Sequence, residues 1–168
     1  MSQTYVLLVD DEPEFLETVA ERLTIRGYQV FCTSTGEDAL AQLDKEPDID
    51  VTVLDLKMPG MIGLEILKEI KKRHPLVQVI MLTGYSTLSS ATEAMKLGAF
   101  DYLAKPHDTE QLINLINKAA ARKKKFADQI LEARQSPYIS DGTREELIAK
   151  ITETAAKGSR RVSDNSSL

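Results

Sequence analysis

Two of the short apolar runs in this chain lead straight into acids. Val6-Leu7-Leu8-Val9 is followed by Asp10-Asp11-Glu12, and Val51-Thr52-Val53-Leu54 by Asp55. Carboxylates brought together in a low-dielectric cleft repel one another and stay ionised when a cation sits among them. Hard oxygen ligands that leave room for water and phosphate oxygens suit Mg²⁺. Acids just before Pro13 also cap a helix and complement its dipole, so the Asp10-Asp11 pair alone supports both readings. Asp55 at the matching end of a second run favours the metal. Two further runs end in groups that bind anions. Val77 to Leu82 leads into Thr83-Gly84, and Phe100 to Leu103 into Ala104-Lys105-Pro106. The Thr83 hydroxyl suits an oxygen of a phosphoryl group on Asp55, Gly84 permits close backbone approach, and the Lys105 ammonium offsets phosphate charge. Singly, a Thr-Gly turn and a surface lysine are ordinary. Placed together after four apolar runs, these residues describe phosphate chemistry beside a metal-bearing carboxylate.

The elements that must position them alternate. Apolar runs at Tyr5–Val9, Gln29–Cys32, Val51–Leu54, Val77–Leu82 and Phe100–Leu103 read as strands. Three are nearly continuous in Val, Leu and Ile, as in strands covered on both faces. Between them lie amphipathic stretches: Pro13 to about Arg26 with Phe15, Leu16, Val19, Ala20 and Leu23 on one face, Glu37 to Lys45, Leu64 to Arg73, Leu88 to Leu97, and a fifth helix from Thr109. Pro13 suits a first helical position, and Gly27 and Gly98 suit helix ends. Five strand–helix units with crossovers of this length require parallel strands and right-handed connections. An open sheet wound in both directions binds its ligands beyond the carboxyl ends of the strands, where the acids, the hydroxyl and the lysine fall.

Composition narrows the class. A chain of 168 residues with 42% hydrophobic content is globular, with one ordinary domain and some chain to spare. Residues 1–117 carry 10 basic and 19 acidic groups, a net −9, and residues 118–168 carry 11 and 7, a net +4. An acidic body with a weakly basic tail does not suggest a nucleic-acid groove, so no direct DNA binding is expected. No run approaches the ~20 apolar residues of a membrane span, and Met1 to Tyr5 lacks a basic, apolar leader, so a soluble cytoplasmic protein is expected. Cys32 lies in a strand and reads as a buried structural thiol. His74 reads as a surface group near a helix end, and His107 has no second ligand beside it that would argue for a metal.

The segments Val6-Leu7-Leu8-Val9-Asp10-Asp11-Glu12, Val53-Leu54-Asp55-Leu56-Lys57-Met58-Pro59-Gly60, Met81-Leu82-Thr83-Gly84 and Asp101-Tyr102-Leu103-Ala104-Lys105-Pro106 resemble the receiver domains of bacterial two-component response regulators. The resemblance covers about residues 4–122 and is specific in order, spacing and strand context. It implies a flavodoxin-like α/β fold, a doubly wound five-stranded parallel sheet of order 2-1-3-4-5, with a C-terminal helical extension here. It implies that Asp55 is the phosphoacceptor, receiving phosphate from a sensor histidine kinase or phosphotransfer protein. Asp11 would ligate Mg²⁺ directly, Asp10 directly or through water, and Asp55 and the backbone carbonyl of Lys57 would complete the protein ligands. Thr83 and Lys105 would bind phosphoryl oxygens. Tyr102 matches the aromatic switch position, and the surface of helix 4, strand 5 and helix 5 would change for a downstream protein target. Read without the family, Tyr102 is a half-buried strand aromatic. Lys57 and Tyr85 stand at positions that tune phosphate lifetime; both are large, and a long-lived acyl phosphate is expected. Such a module is not an enzyme beyond self-phosphorylation and slow self-dephosphorylation.

The expected organisation is a receiver domain over 1–122, a helical extension or linker over 123–158 and a disordered tail over 159–168. Helix 5 should run on to about Arg134, with Leu112, Ile116, Ala119, Lys123, Phe126, Ile130 and Ala133 as a heptad seam interrupted by Lys123. Arg122 to Lys125 favour solvent, and Ser136-Pro137 breaks the helix. A second helix fits Arg144 to Ala156, with Thr143 and Glu146 as a capping box. The seam suits a homodimer, a frayed tail fits equally well, and the second helix could fold back. Three other readings compete. One is the receiver fragment of a larger DNA-binding transcriptional regulator. A haloacid-dehalogenase-type phosphotransferase would want an acid where Lys57 stands. A flavodoxin-like flavin binder would want a phosphate loop after the first strand.

Overall fold

The computed structural model describes residues 3–56, 63–84, 88–105 and 108–158, the side chains of Thr83, Leu88 and Ser89 excepted. Five strands alternate with helices: β1 (Tyr5–Val9), α1 (Pro13–Ile25), β2 (Gln29–Thr33), α2 (Gly36–Lys45), β3 (Val51–Leu54), α3 (Gly63–Arg73), β4 (Gln78–Thr83), α4 (Leu88–Lys96), β5 (Asp101–Ala104) and α5 (Thr109–Gln135), followed by α6 (Asp141–Ala156). The strands form one parallel sheet in the order β2-β1-β3-β4-β5.

Alternation of side chains along the strands divides the core into two layers. Leu7, Val9, Leu54, Val79 and Met81 pack with Leu40 and Leu43 of α2, Ile66, Leu67 and Ile70 of α3 and Ala94 of α4. On the other face Val6, Leu8, Val51, Val53, Ile80 and Leu82 meet Val19 and Leu23 of α1 and Leu112, Ile113 and Ile116 of α5. The sheet is therefore sandwiched, and its carboxyl edge is left for chemistry. Cys32 corrects the expectation of a buried thiol: it is exposed, because β2 is an edge strand, flanked by β1 alone. His74 has a definite partner, with Nε2 2.7 Å from Asp44 Oδ1.

The extension is ordered helix. α5 continues unbroken to Gln135, and α6 folds back along it. Phe126, Ala133 and Ala155 are buried in this hairpin. The upper part of the heptad seam, Leu112, Ile116 and Ala119, faces the sheet, so the chain itself covers much of the surface expected to pair two copies. α6 begins three residues before the expected Arg144. Ser140 is the N-cap and its hydroxyl accepts from the Thr143 amide at 3.2 Å; Thr143 thus sits inside the helix, not at its cap.

Arg122 and Lys123 also depart from the expected solvated run. Lys123 bonds the Ile49 carbonyl at 2.9 Å and Asp50 Oδ1 at 3.1 Å. Arg122 donates to the Gly158 carbonyl at 2.6 Å and lies 4.8 Å from the Phe126 ring centroid. At Gly98 (φ +104°) a Cβ would fall 2.4 Å from the Ala156 carbonyl oxygen, so only glycine lets the end of α6 seat there.

Beside that seat Lys71 is buried, with its ammonium donating to the Pro75 carbonyl at 2.9 Å and the Val77 carbonyl at 2.8 Å. The C-terminal ends of α3, α4 and α6 meet around Lys71 and Arg122, where helix dipoles favour positive charge. Burial, and then the Arg122 charge, pull the Lys71 pKa down to about 7 from 10.5. An unfolded lysine keeps its proton to about 10.5 while the folded one releases it near 7, so stability should rise as pH climbs through that interval. Urea unfolding should show a gain of about 3 kcal/mol between neutral pH and about pH 10. Lys71→Met should flatten that rise; an identical slope in the variant would exclude Lys71 as its origin.

Candidate functional site

The acids converge because β1 and β3 are neighbours whose ends lie in register, Val9 opposite Leu54. The next residue of each strand clears the edge together. Asp55 N–H bonds the Val9 carbonyl at 3.0 Å, and Asp10 N–H bonds the Thr33 carbonyl at 3.2 Å, so the ladder holds both backbones. Asp10 (2% exposed) and Asp55 (6%) are buried, and Asp11 is exposed. One carboxylate oxygen from each lies within 4.8 Å of the others. Asp10 Oδ1 accepts from the Glu12 amide at 2.9 Å, which fixes its rotamer at the start of α1.

Lys105 follows β5, and its side chain reaches across the edge. Its Nζ donates to Asp10 Oδ2 and lies 3.8 Å from Asp55 Oδ2 and 3.9 Å from Glu12 Oε1. One ammonium cannot neutralise three carboxylates. Oxygens opposite each other in an octahedral Mg²⁺ site are about 4.2 Å apart, close to the spread seen here. The hard, anionic donor set therefore fits a divalent cation, with small adjustment of the side chains.

Thr83 ends β4 opposite Ala104 of β5, which brings its backbone to the same edge as Lys105; its side chain lies outside the described residues. Tyr102 is half-buried against the layer that holds α4, and its hydroxyl is 3.5 Å from Ser90 Oγ of α4. Lys57 and Tyr85 lie outside the described residues, as do Pro106 and His107.

Two further residues at the site are not marked out by the sequence. Phe15, whose spacing places it only on the apolar face of α1, lies beneath Lys105, with Nζ 4.0 Å from the ring centroid. Gly63 starts α3 against the backbone of Asp55 and Leu56, where its N–H bonds the Leu56 carbonyl at 3.1 Å. The available signals are slight: an aromatic one turn after the acid pair, and a glycine opening a helix.

This arrangement has known counterparts. A profile described as "Response regulator receiver domain" matches residues 6–117. The chain belongs to the response-regulator receiver family. The receiver is 42% identical over 122 residues to the DNA-binding transcriptional regulator NtrC of Salmonella typhimurium, covering 71% of this chain and 25% of that one. It is 32% identical over 150 residues to the transcriptional regulatory protein ZraR of the same species, covering 89% of this chain and 34% of that one, a similarity that extends into the helices beyond residue 117. The chain thus spans a quarter to a third of the length of these curated relatives. Among solved structures, a receiver domain protein from Clostridium thermocellum is 41% identical with a TM-score of 0.69, covering 73% of this chain and 98% of that one. A CheY-like receiver from Methanospirillum hungatei is 30% identical with a TM-score of 0.70, covering 74% and 98%. The receiver is thus a two-component signalling domain on the doubly wound five-stranded fold. No described helix is long and apolar enough to cross a membrane.

Proposed function

We propose that this receiver accepts a phosphoryl group on Asp55 in a Mg²⁺-dependent reaction and passes the change to a partner through α4, β5 and α5. The observation that carries the reading is the Lys105 ammonium set between Asp10 and Asp55, within a cluster of three carboxylates at the end of a parallel sheet. An Asp55 oxygen attacks phosphorus, the P–N bond of a phosphohistidine breaks, and the imidazole keeps the electron pair, leaving an acyl phosphate. Asp10, Asp11, Asp55 and the Lys57 carbonyl would hold Mg²⁺, which supplies charge stabilisation for the transferring group. Lys105 exchanges Asp10 for a phosphoryl oxygen, and the Thr83 hydroxyl takes another. Withdrawal of that hydroxyl toward the phosphate frees space for the Tyr102 ring, which shifts relative to Ser90. Lys57 and Tyr85 shield the acyl phosphate from water.

The phosphate source is a sensor histidine kinase or phosphotransfer protein. Because the matched segment makes up only 25% of the NtrC relative and 34% of the ZraR relative, a second reading places this receiver as the regulatory part of a DNA-binding transcriptional regulator. DNA contacts would then belong outside residues 6–117.

Acetyl phosphate with Mg²⁺ should add one phosphoryl group, seen by intact mass and removed by hydroxylamine. Asp55→Asn, or EDTA with the wild type, should take up none. Labelling that persists in Asp55→Asn would overturn the assignment.

A further inference from the structure

Lys105 has two kinds of partner. Its ammonium bonds Asp10 and lies near Asp55 and Glu12, and it also sits 4.0 Å above the face of Phe15. On the reading proposed above, the carboxylates must turn to a divalent cation, whose charge then repels the ammonium. The aromatic face is the contact in this group that a hard cation does not take, because Mg²⁺ selects oxygen ligands. The π-face attracts an ammonium independently of the acids. Phe15 is carried by the first turn of α1, immediately after the acid pair that α1 itself helps to orient, so ring and acids move as one body.

We infer that Phe15 is a positioning residue, a neutral seat that keeps the Lys105 ammonium over Asp55 while Asp10 and Asp55 change partners. This rests on the phosphoacceptor reading for its purpose, although the seat itself can be measured without phosphate. Phe15 also packs, like Leu16 and Ala20, against the α1/α5 layer, and that structural role must be separated from the electrostatic one. Leucine keeps the packing and loses the quadrupole; tyrosine keeps both.

The first measurement is the ring-current shift of the Lys105 ε-protons, assigned by their loss in Lys105→Arg, followed through a Mg²⁺ titration of the full chain. In the wild type the ε-protons should stay upfield when Mg²⁺ saturates the site, and in Phe15→Leu they should lie at the solution position throughout. The second is acyl-phosphate formation from acetyl phosphate. Phe15→Leu should be about 2- to 30-fold slower at saturating Mg²⁺, the range an aromatic–cation contact supplies, with an unchanged melting temperature, and Phe15→Tyr should recover the rate. The inference is overturned if the wild-type ε-protons return to the solution position on Mg²⁺ binding, if Phe15→Leu reacts as fast as the wild type, or if Phe15→Tyr is as slow as Phe15→Leu. A wild type that takes no phosphate at all would sink the phosphoacceptor reading instead, and the Mg²⁺ titration would still decide the seat.

Discussion

Lys105→Met should lose about 2–4 kcal/mol of stability in metal-free buffer, and millimolar Mg²⁺ should return most of it. Removing the ammonium leaves Asp10 and Asp55, both buried, facing each other and Asp11 across less than 5 Å. Like charges that close raise the energy of the folded state, because the unfolded chain separates and hydrates them. Deleting one partner of a buried ion pair typically costs 3–5 kcal/mol; the exposure of Asp11 to solvent lowers that figure here. A divalent cation replaces the missing charge and no longer competes with Lys105 for Asp10. Mg²⁺ should therefore stabilise the variant more than the wild type, as read from urea unfolding with and without the metal. Phosphoryl transfer should still fall about 10²–10³-fold, the usual effect of removing one preorganised charge that faces developing negative charge. Equal stability of the two proteins without metal, or an equal response to Mg²⁺, would refute the electrostatic account.

Gly63→Ala should destabilise the receiver by about 2–4 kcal/mol, although helix propensity alone favours alanine by about 1 kcal/mol. The two expectations differ in sign, so the measurement is decisive. A Cβ at Gly63 would fall 2.6 Å from the Asp55 carbonyl oxygen, 2.7 Å from Leu56 Cα and 2.8 Å from the Leu56 carbonyl oxygen. All three obstacles are backbone, so no side chain can swing aside. Either α3 lifts away from the sheet or the end of β3 moves, and the second displaces the Asp55 carboxylate. Misplacement of a reacting group by about 1 Å costs up to 10²-fold in rate. Acyl-phosphate formation by Gly63→Ala, assayed where the variant is fully folded, should fall at least tenfold. Stability equal to or above the wild type would show that propensity outweighs the backbone contact.

Much of this receiver is legible in its residues alone. Strands buried on both faces declare themselves by nearly continuous Val, Leu and Ile, as in Val6 to Val9 and Val77 to Leu82, and parallel topology follows from the length of the crossovers. Once those are known, a residue just past a strand end must stand on the carboxyl edge, so Asp10, Asp11, Asp55 and Lys105 group together by counting alone. Helix ends follow Pro13, Gly27 and Gly98 for equally local reasons.

What the residues conceal is of another kind. Cys32 reads as buried because its run is apolar, but exposure depends on strand order, and β2 lies at the edge. Lys123 reads as solvated because it belongs to a basic run, yet its partner Asp50 is 73 residues away in the chain. The cap of α6 falls three residues from its expected place because Ser140 and Thr143 are both good capping residues, and only the backbone at Ser140 decides between them.

Thus residue types and spacing by themselves determined the strands, the helices and the chemical character of the sheet edge, since each depends on local periodicity and on which side of a strand end a residue falls. Tertiary structure decided which groups actually meet: at that edge Lys105 over Phe15 and Gly63 against the Asp55 backbone, and elsewhere α6 seated on Gly98 and Arg122. These are contacts between segments far apart along the chain, and their distances depend on how helices lie across the sheet, a quantity that no single stretch of residues encodes.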